Sequence, residues 1–219
     1  QVKKVVCKGA GAGILKDIPK MVSLTKAIVD RTALPVTVKT RLGWDHDSIH
    51  IVEVAERLQD VGAQAISIHG RTRAQMYKGQ ASWHPIAEVK NNPRMYIPVF
   101  GNGDVDSPEK AVLMRDDFGL DGAMIGRASI GNPWFFAQVK HYFETGNHLS
   151  TPNIKDRVEM ARRHLQMSIE WKGEKLGVFE TRRHYTNYFK GIPHFKEYRQ
   201  QMVTTDDSAG VFAVFDEVE

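Results

Sequence analysis

Polar and cationic residues follow four short apolar segments of the sequence. The segments are PVTVKTR (35–41), AISIHGRTR (65–73), IPVFGNGD (97–104) and GAMIGRA (122–128). At their downstream ends stand residues that carry charge, donate hydrogen bonds or open the backbone to a ligand: Lys39, Arg41, His69, Arg71, Asn102, Asp104, Gly126 and Arg127. Because a parallel sheet builds its site at the carboxyl ends of its strands, we expect these residues to form one site.

Stretches with helical spacing separate the apolar segments, so strand and helix alternate at the spacing of βα units. The segments are apolar without alternation, as in strands that are buried on both faces. This pattern predicts an α/β fold, either an open doubly wound sheet or a (β/α)8 TIM-type barrel. Site residues on consecutive strands favour the barrel, of which four βα units would be the C-terminal half.

The pattern changes after residue 148, where apolar and aromatic residues recur only at helical spacing. We therefore expect a partial TIM-barrel domain over residues 1–148 and a small all-helical domain over 149–219. Between residues 151 and 203 there are 11 Lys or Arg against 6 Asp or Glu. This basic balance is compatible with a nucleic-acid partner.

The composition narrows the class of protein. A net charge of +4 and a pI near 9.1 permit an RNA or phosphate partner without requiring one. The single cysteine, Cys7, excludes an internal disulfide and fits a reducing cytoplasm. No apolar run approaches the length of a membrane span. We expect a cytoplasmic protein without a metal or a membrane partner.

Two glycine-containing strand ends, GNGD (101–104) and IGRA (125–128), predict a phosphate site. Glycine lets backbone N–H groups approach a phosphate, and Arg127 adds a guanidinium. Neither segment matches a P-loop or a dinucleotide-binding fingerprint. For GAGAG (9–13), close backbone packing before a helix is the favoured interpretation.

Each motif also has a structural interpretation without function. Lys39 at a strand end also fits a solvated cation, and His69 also fits a core histidine bonded to a carbonyl. The Asn-Gly and Gly-Asp pairs in GNGD are turn formers in any protein. The occurrence of all these motifs on consecutive strands favours the functional interpretation.

Taken together, the motifs resemble the tRNA-dihydrouridine synthases, most closely the bacterial B type. The matching segments are VKKVVCKGAGAGILKD, VTVKTRLGW, IHGRTRAQMYKG, IPVFGNGDVDSPEKA and MIGRASIGNPWFF. The resemblance implies a flavoprotein that uses FMN and NADPH to reduce a uridine of tRNA to 5,6-dihydrouridine. It also implies that the helical region binds tRNA, and we expect the full-length protein to be a monomer.

The resemblance assigns residues by motif position. Those implied to bind FMN are Lys39 and His69 at the ring, Asn102, Gly103 and Asp104 at the ribityl-phosphate end, and Gly126 and Arg127 at the phosphate. Charge and placement further predict that three arginines bind the tRNA substrate: Arg41, Arg71 and Arg73.

The family's proton donor is a cysteine in the sequence N-x-G-C-P-x-K-K-V. Lys3, Lys4 and Val5 match the end of this motif, which puts Gln1 at the proline and the cysteine immediately before it. Cys7 lies on the wrong side of the motif to replace that cysteine. We therefore expect no catalytic acid in this chain and no activity of the chain alone.

Two alternative functions stay open at this point. One is another phosphate-binding flavin barrel, such as a dehydrogenase of pyrimidines, although a basic helical appendage has little use in such an enzyme. The other is a non-catalytic fragment that keeps only affinity for tRNA.

Overall fold

The computed structural model describes residues 2–219, so the predicted motif position of Gln1 lies outside the described residues. The chain divides into two compact units, Gln1–Gly126 and Arg127–Glu219. The first unit contains a parallel sheet with helices between its strands. The described residues of the second unit form only helices, turns and loops.

Four parallel strands form one sheet in the first unit, in the order of the sequence. They are β1 (Thr37–Arg41), β2 (Ala65–His69), β3 (Val99–Asn102) and β4 (Gly122–Met124). The register aligns Arg41 with His69 and His69 with Asn102. The α/β prediction and its four strands are confirmed, and the carboxyl ends of three strands meet in one row.

The described residues of the first unit contain five α-helices: α1 (Lys3–Val6), α2 (Ile18–Val29), α3 (Ile51–Asp60), α4 (His84–Asn91) and α5 (Pro108–Asp116). Local signals explain where two of them begin. The Asp17 side chain accepts a hydrogen bond from the Lys20 amide at the start of α2, and Ser107 caps α5 immediately before Pro108.

The core of the first unit consists of aliphatic side chains from the strands and the helices between them. Ile66 and Val99 on the strands are fully buried, as are Leu58 on α3 and Ile86 on α4. Because the central strands are covered in this way, their polar residues can reach a ligand only at the strand ends.

The second unit contains five further helices: α6 (Phe135–Thr145), α7 (Ile154–Lys172), α8 (Glu174–Tyr188), α9 (Lys196–Thr204) and α10 (Ser208–Val218). Helices α7 and α8 pack closely, because a Cβ on Gly177 would lie 2.7 Å from the backbone of Ile169. Their core includes Leu165, Tyr185 and Phe215, all fully buried. Within residues 2–219, no helix has the length and hydropathy needed to cross a membrane.

Candidate functional site

Two cations lie on one face of β1 near its carboxyl end. Lys39 and Arg41 are two residues apart and so point to the same side of the sheet. Lys39 is exposed, whereas Arg41 is only 8% exposed. Partial desolvation, and then the positive charge of Arg41, lower the pKa of Lys39 below its ordinary value.

Arg41 ties β1 to the loop that follows β2. Its Nη1 donates to the carbonyl oxygens of Thr72 and Met76, at 2.8 and 2.9 Å. Its guanidinium carbon also lies 5.7 Å from the centre of the Tyr77 ring. Two backbone carbonyls therefore hold Arg41 in place at the edge of the site.

Arg71 is 2% exposed and uses all five of its N–H groups within the chain. Two of them form a bidentate pair with Asp104, at 2.9 and 2.7 Å. Two donate to the carbonyls of Lys78 and Gly79, at 3.3 and 2.6 Å, and the fifth points to Nε2 of His69, at 3.4 Å. A tRNA phosphate would have to displace one of these partners to bind Arg71.

His69 is a neutral imidazole in this environment. Burial lowers its pKa to about 4, and the nearby cations Arg41, Lys39 and Arg71 contribute to the shift. Asp104 opposes the shift without cancelling it. Because Arg71 donates to Nε2, this atom is the acceptor and the proton of the neutral ring is on Nδ1.

The turn after β3 requires glycine at position 103. Gly103 has a φ of 115°, and a Cβ there would lie 2.7 Å from the Ala81 Cβ and 2.9 Å from Cδ2 of His69. Its carbonyl accepts a hydrogen bond from the Trp83 indole, at 3.0 Å. The predicted Asn-Gly-Asp turn is thus packed directly against the imidazole of His69.

The residues on either side of Gly103 fix the ends of this turn. Asn102 donates from Nδ2 to the Met124 carbonyl at 2.7 Å, which links β3 to β4. Asp104 has a left-handed φ of 56° and accepts from the Ala81 amide at 2.8 Å, in addition to its pair with Arg71. The strained backbone at Asp104 therefore places its carboxylate where two chain segments need an acceptor.

Gly126 and Arg127 follow β4. A Cβ on Gly126 would meet no atom within 4 Å, so the backbone is open on that side. Arg127 begins a short 3-10 helix, Arg127–Ser129, and is the first residue of the second unit. The open space at the Cα of Gly126 suits the close approach of a ligand to the backbone there.

Arg73, the second arginine of the His69 motif, has a different environment from Arg71. Its guanidinium lies 4.5 Å from the centre of the Trp44 ring, and Lys16 Nζ lies 4.1 Å from the same ring. The Nε of Arg73 is buried and has no hydrogen-bond partner among the described residues. The sequence motifs identified Arg73 as a site residue but not Lys16 or Trp44, although these two lie within the matched segments VKKVVCKGAGAGILKD and VTVKTRLGW.

Cys7 is a free, exposed thiol that follows α1. Among residues 2–219, no group of three or more His, Cys, Asp or Glu side chains has the arrangement of a metal site. The candidate site at the strand ends contains the cations Lys39 and Arg41, the neutral imidazole of His69, the side-chain amide of Asn102 and the carboxylate of Asp104, which is paired with Arg71.

Comparison with known proteins identifies the family to which this chain belongs. Residues 2–217 match the family model described as dihydrouridine synthase (Dus). The chain belongs to the dihydrouridine synthase family. The match covers both compact units, so the helical unit is part of the similarity as well as the sheet.

Curated relatives agree with this family. The probable tRNA-dihydrouridine synthase 1 of Synechocystis is 42% identical over 201 residues, which cover 92% of this chain and 56% of the relative. The tRNA-dihydrouridine synthase B proteins of Pseudomonas aeruginosa and Pseudomonas putida are 39% and 37% identical. These alignments cover 94% and 98% of this chain, and 61% and 64% of the relatives.

The relatives support the bacterial B type of dihydrouridine synthase, as the motifs predict. The chain spans less than two thirds of the length of these three relatives. Among solved structures, a mandelate oxidase mutant covers 90% of the chain and 65% of that protein, at 14% identity and a TM-score of 0.32. That similarity is too low to support an argument.

Proposed function

We propose that this chain is part of an FMN-dependent tRNA-dihydrouridine synthase that reduces a uridine of tRNA to 5,6-dihydrouridine, with NADPH as reductant. The observation that carries the proposal is the alignment of Arg41, His69 and Asn102 at neighbouring strand ends, with Lys39 two residues before Arg41 on the same face of β1. Membership of the family supports it.

The proposal assigns different functions to the two parts of the chain. Residues 1–148 would form the C-terminal half of a (β/α)8 barrel that binds FMN, and residues 149–219 would bind tRNA. The parallel sheet and the helical second unit are compatible with this division. A cytoplasmic location is part of the same proposal, since the single cysteine fits a reducing compartment.

The residues at the strand ends suit FMN in their chemistry. An exposed Lys39 ammonium can stabilise negative charge on an electron-rich ring, and the Nδ1–H of neutral His69 can donate a hydrogen bond. The open backbone at Gly126, followed by the guanidinium of Arg127, suits a phosphate dianion. Bound FMN would supply the hydride chemistry, which these side chains themselves lack.

The remaining residues would position the cofactor and the substrate. Asn102 would hold the turn of Gly103 and Asp104 against the ribityl-phosphate end, because its side chain anchors that turn to β4. Arg41 and Arg73 would bind the tRNA substrate. Arg71 was predicted to do the same, and its five internal contacts give it in addition a role in holding His69 and Asp104.

Protonation of the uracil carbon requires an acid. We propose that exposed Cys7 is not this acid, because it lies outside the motif position that the family uses. The lack of activity expected of the 219 residues alone stays a prediction. An assay of dihydrouridine in unmodified tRNA, with the chain, FMN and NADPH and with a Cys7→Ala variant, tests both statements.

The cofactor assignment is tested by fluorescence titration of the chain with FMN and with riboflavin, which lacks the phosphate. We expect FMN to bind more tightly than riboflavin by about tenfold or more, the effect of charge-assisted phosphate contacts. Arg127→Ala should remove this difference and leave riboflavin binding unchanged. Lys140→Ala, an exposed cation of the same unit, is the matched control and should have no effect.

Equal affinity of the chain for FMN and riboflavin would contradict the cofactor assignment. We expect a half barrel alone to bind FMN weakly or not at all, so the absence of saturable flavin binding contradicts the assignment only if a version extended upstream through the motif cysteine also fails to bind. Reduction of free uracil, with no reduction of tRNA, would instead favour the pyrimidine dehydrogenase. Binding of tRNA without binding of flavin would favour the non-catalytic fragment.

A further inference from the structure

A cleft of about 640 Å³ lies beside the strand-end site in the first unit. We call it the Trp44 cleft; its walls come from α1, the 3-10 helix Gly11–Lys16, the start of α2, Trp44 and Arg73. Its volume is within the range of ligand-binding pockets. The segment GAGAG forms part of its wall, so the motif that the proposed function leaves unused contributes to a concave surface.

The Trp44 cleft is strongly cationic. Four of its lining residues are basic: Lys3, Lys16, Lys20 and Arg73. The one acidic lining residue, Asp17, uses its carboxylate to cap α2 by accepting from the Lys20 amide at 3.0 Å. Within residues 2–219, the structure shows no ion pair between these four basic side chains and a carboxylate.

Trp44 brings two of the cations together. Lys16 Nζ and the Arg73 guanidinium each lie over its ring, at 4.1 and 4.5 Å from the ring centre. Cation–π contacts of this kind orient a cation without neutralising its charge. Both cations therefore keep their N–H groups for an anion, and the buried Nε of Arg73 has no hydrogen-bond partner among the described residues.

Part of the cleft wall is built from closely packed backbone. A Cβ on Gly13 would lie 2.5 Å from the carbonyl oxygen of Val6, so the chain returns against α1 with no room for a side chain. This agrees with the backbone-packing interpretation of GAGAG. The close packing fixes the 3-10 helix that carries Lys16 at its end.

We propose that the Trp44 cleft binds backbone phosphates of the RNA substrate, with Lys16 and Arg73 as the principal contacts. Phosphate is the anion that clustered lysine and arginine side chains recognise, and RNA presents it repeatedly along one strand. This inference rests on the proposed function, because it locates part of the tRNA contact. A nicotinamide dinucleotide carries the same phosphate chemistry, so the test includes it as a separate ligand.

The test compares three variants of the 219-residue chain in binding to a fluorescent, unmodified tRNA transcript. Lys16→Gln/Arg73→Gln removes the two principal cations. Lys26→Gln/Arg31→Gln removes the same charge from an exposed part of the same unit and is the matched control. Trp44→Leu keeps every charge and removes only the surface that orients them.

We expect the cleft double variant to bind tRNA about tenfold or more weakly than the control double variant. The slope of log affinity against log salt should fall by about 1.4 to 1.8 for the two lost phosphate contacts. Trp44→Leu should weaken binding with unchanged net charge, which a purely long-range effect of charge would not produce. Circular dichroism of each variant checks that it is folded.

The outcomes separate the two proposals. If the wild-type chain binds tRNA and the cleft and control variants bind it equally, the subsite is refuted and the proposed function stands. If the cleft variant loses affinity for NADP⁺ but not for tRNA, the phosphate subsite stands and its RNA assignment is wrong. A wild-type chain that binds neither tRNA nor NADP⁺ would overturn both proposals.

Discussion

The strand ends of the first unit and the helical second unit differ in how exposed their ion pairs are to solvent. In the first unit, Arg71 is buried and forms a bidentate pair with Asp104, whose side chain is 25% exposed. In the second unit, Arg162 pairs with Asp216, whose side chain is 70% exposed. The interior of the second unit is instead apolar and aromatic, with Leu165 and Phe215 fully buried.

This difference shows which charges position a site. A buried ion pair is costly to desolvate, so it persists only where its geometry and hydrogen bonds are complete. An exposed pair contributes little, because water and salt screen it. The buried Arg71, paired with Asp104, thus points to a fixed arrangement around His69, whereas the pair of Arg162 and Asp216 in the second unit is open to solvent on its carboxylate side.

The largest expected effect on stability comes from breaking the buried ion pair. The same substitution, Asp to Asn, is made in the exposed pair for comparison. Asp104→Asn should lower the free energy of unfolding by about 3 to 5 kcal/mol, because it leaves the Arg71 charge buried without a carboxylate. Asp216→Asn should lower it by less than about 1 kcal/mol. Urea unfolding of both variants measures the difference, and similar losses would contradict the comparison.

The pH dependence of stability should come next in size. In the folded chain the pKa of His69 is lowered to about 4 from an ordinary 6.5, so the unfolded chain binds the proton more readily. The contribution of His69 is fully present above pH 6.5 and is lost as the pH falls towards 4, by about 2 to 3 kcal/mol. Unfolding at pH 7 and pH 4.5 should show this loss in the wild type.

A His69→Gln variant is the control for the pH prediction. It should remove the part of the stability loss at low pH that comes from protonation of His69 in the first unit. The pKa of His184 in the second unit is also lowered to about 4, chiefly by burial, so part of the pH dependence should remain in the variant. An unchanged pH dependence in His69→Gln would show that the imidazole of His69 is not kept neutral by the fold.

Two glycines with positive φ give a smaller contrast between the units. Gly103→Ala combines a φ of 115° with collisions against Ala81 and His69, so we expect it to cost about 2 kcal/mol. Gly146→Ala at the end of α6 has a φ of 70° and open space, and should cost about 1 kcal/mol. Thermal unfolding of both variants, with flavin affinity for the first, tests this order.

The smallest expected effect concerns the hydroxyl of Tyr185. This buried group has no hydrogen-bond partner among the described residues. Tyr185→Phe should therefore leave the free energy of unfolding within about 0.5 kcal/mol of the wild type, or raise it slightly. A loss above about 1 kcal/mol in urea unfolding would show that the hydroxyl is bonded and that this core also depends on polar contacts.

Much of the fold follows from local sequence signals. Apolar segments predict the four strands, and Ser107 with Pro108 predicts the start of α5. The structure confirms both: an apolar segment is driven into the core whatever it packs against, and helix capping acts between residues that are close in sequence. The spacing of Lys39 and Arg41 likewise fixes their common face through the period of the strand.

The site is only partly predictable in this way. The strand-end row of Arg41, His69 and Asn102 follows from parallel strands in sequential order. The contact of Trp44 with both Lys16 and Arg73 does not, because it joins three segments whose separation along the chain carries no periodic signal. Backbone packing at Gly13 brings the first of these segments into place.

Residue types and their spacing were enough to predict the α/β pattern, the strand ends and the family resemblance. Only the tertiary structure distinguished Arg71 from Arg73, two residues apart in one motif. Arg71 meets Asp104, 33 residues away, and is fully bonded, whereas Arg73 lies over Trp44 with its Nε unbonded among the described residues. The physical reason is that the partners of a long, flexible guanidinium are set by which loops the strand register brings within its reach.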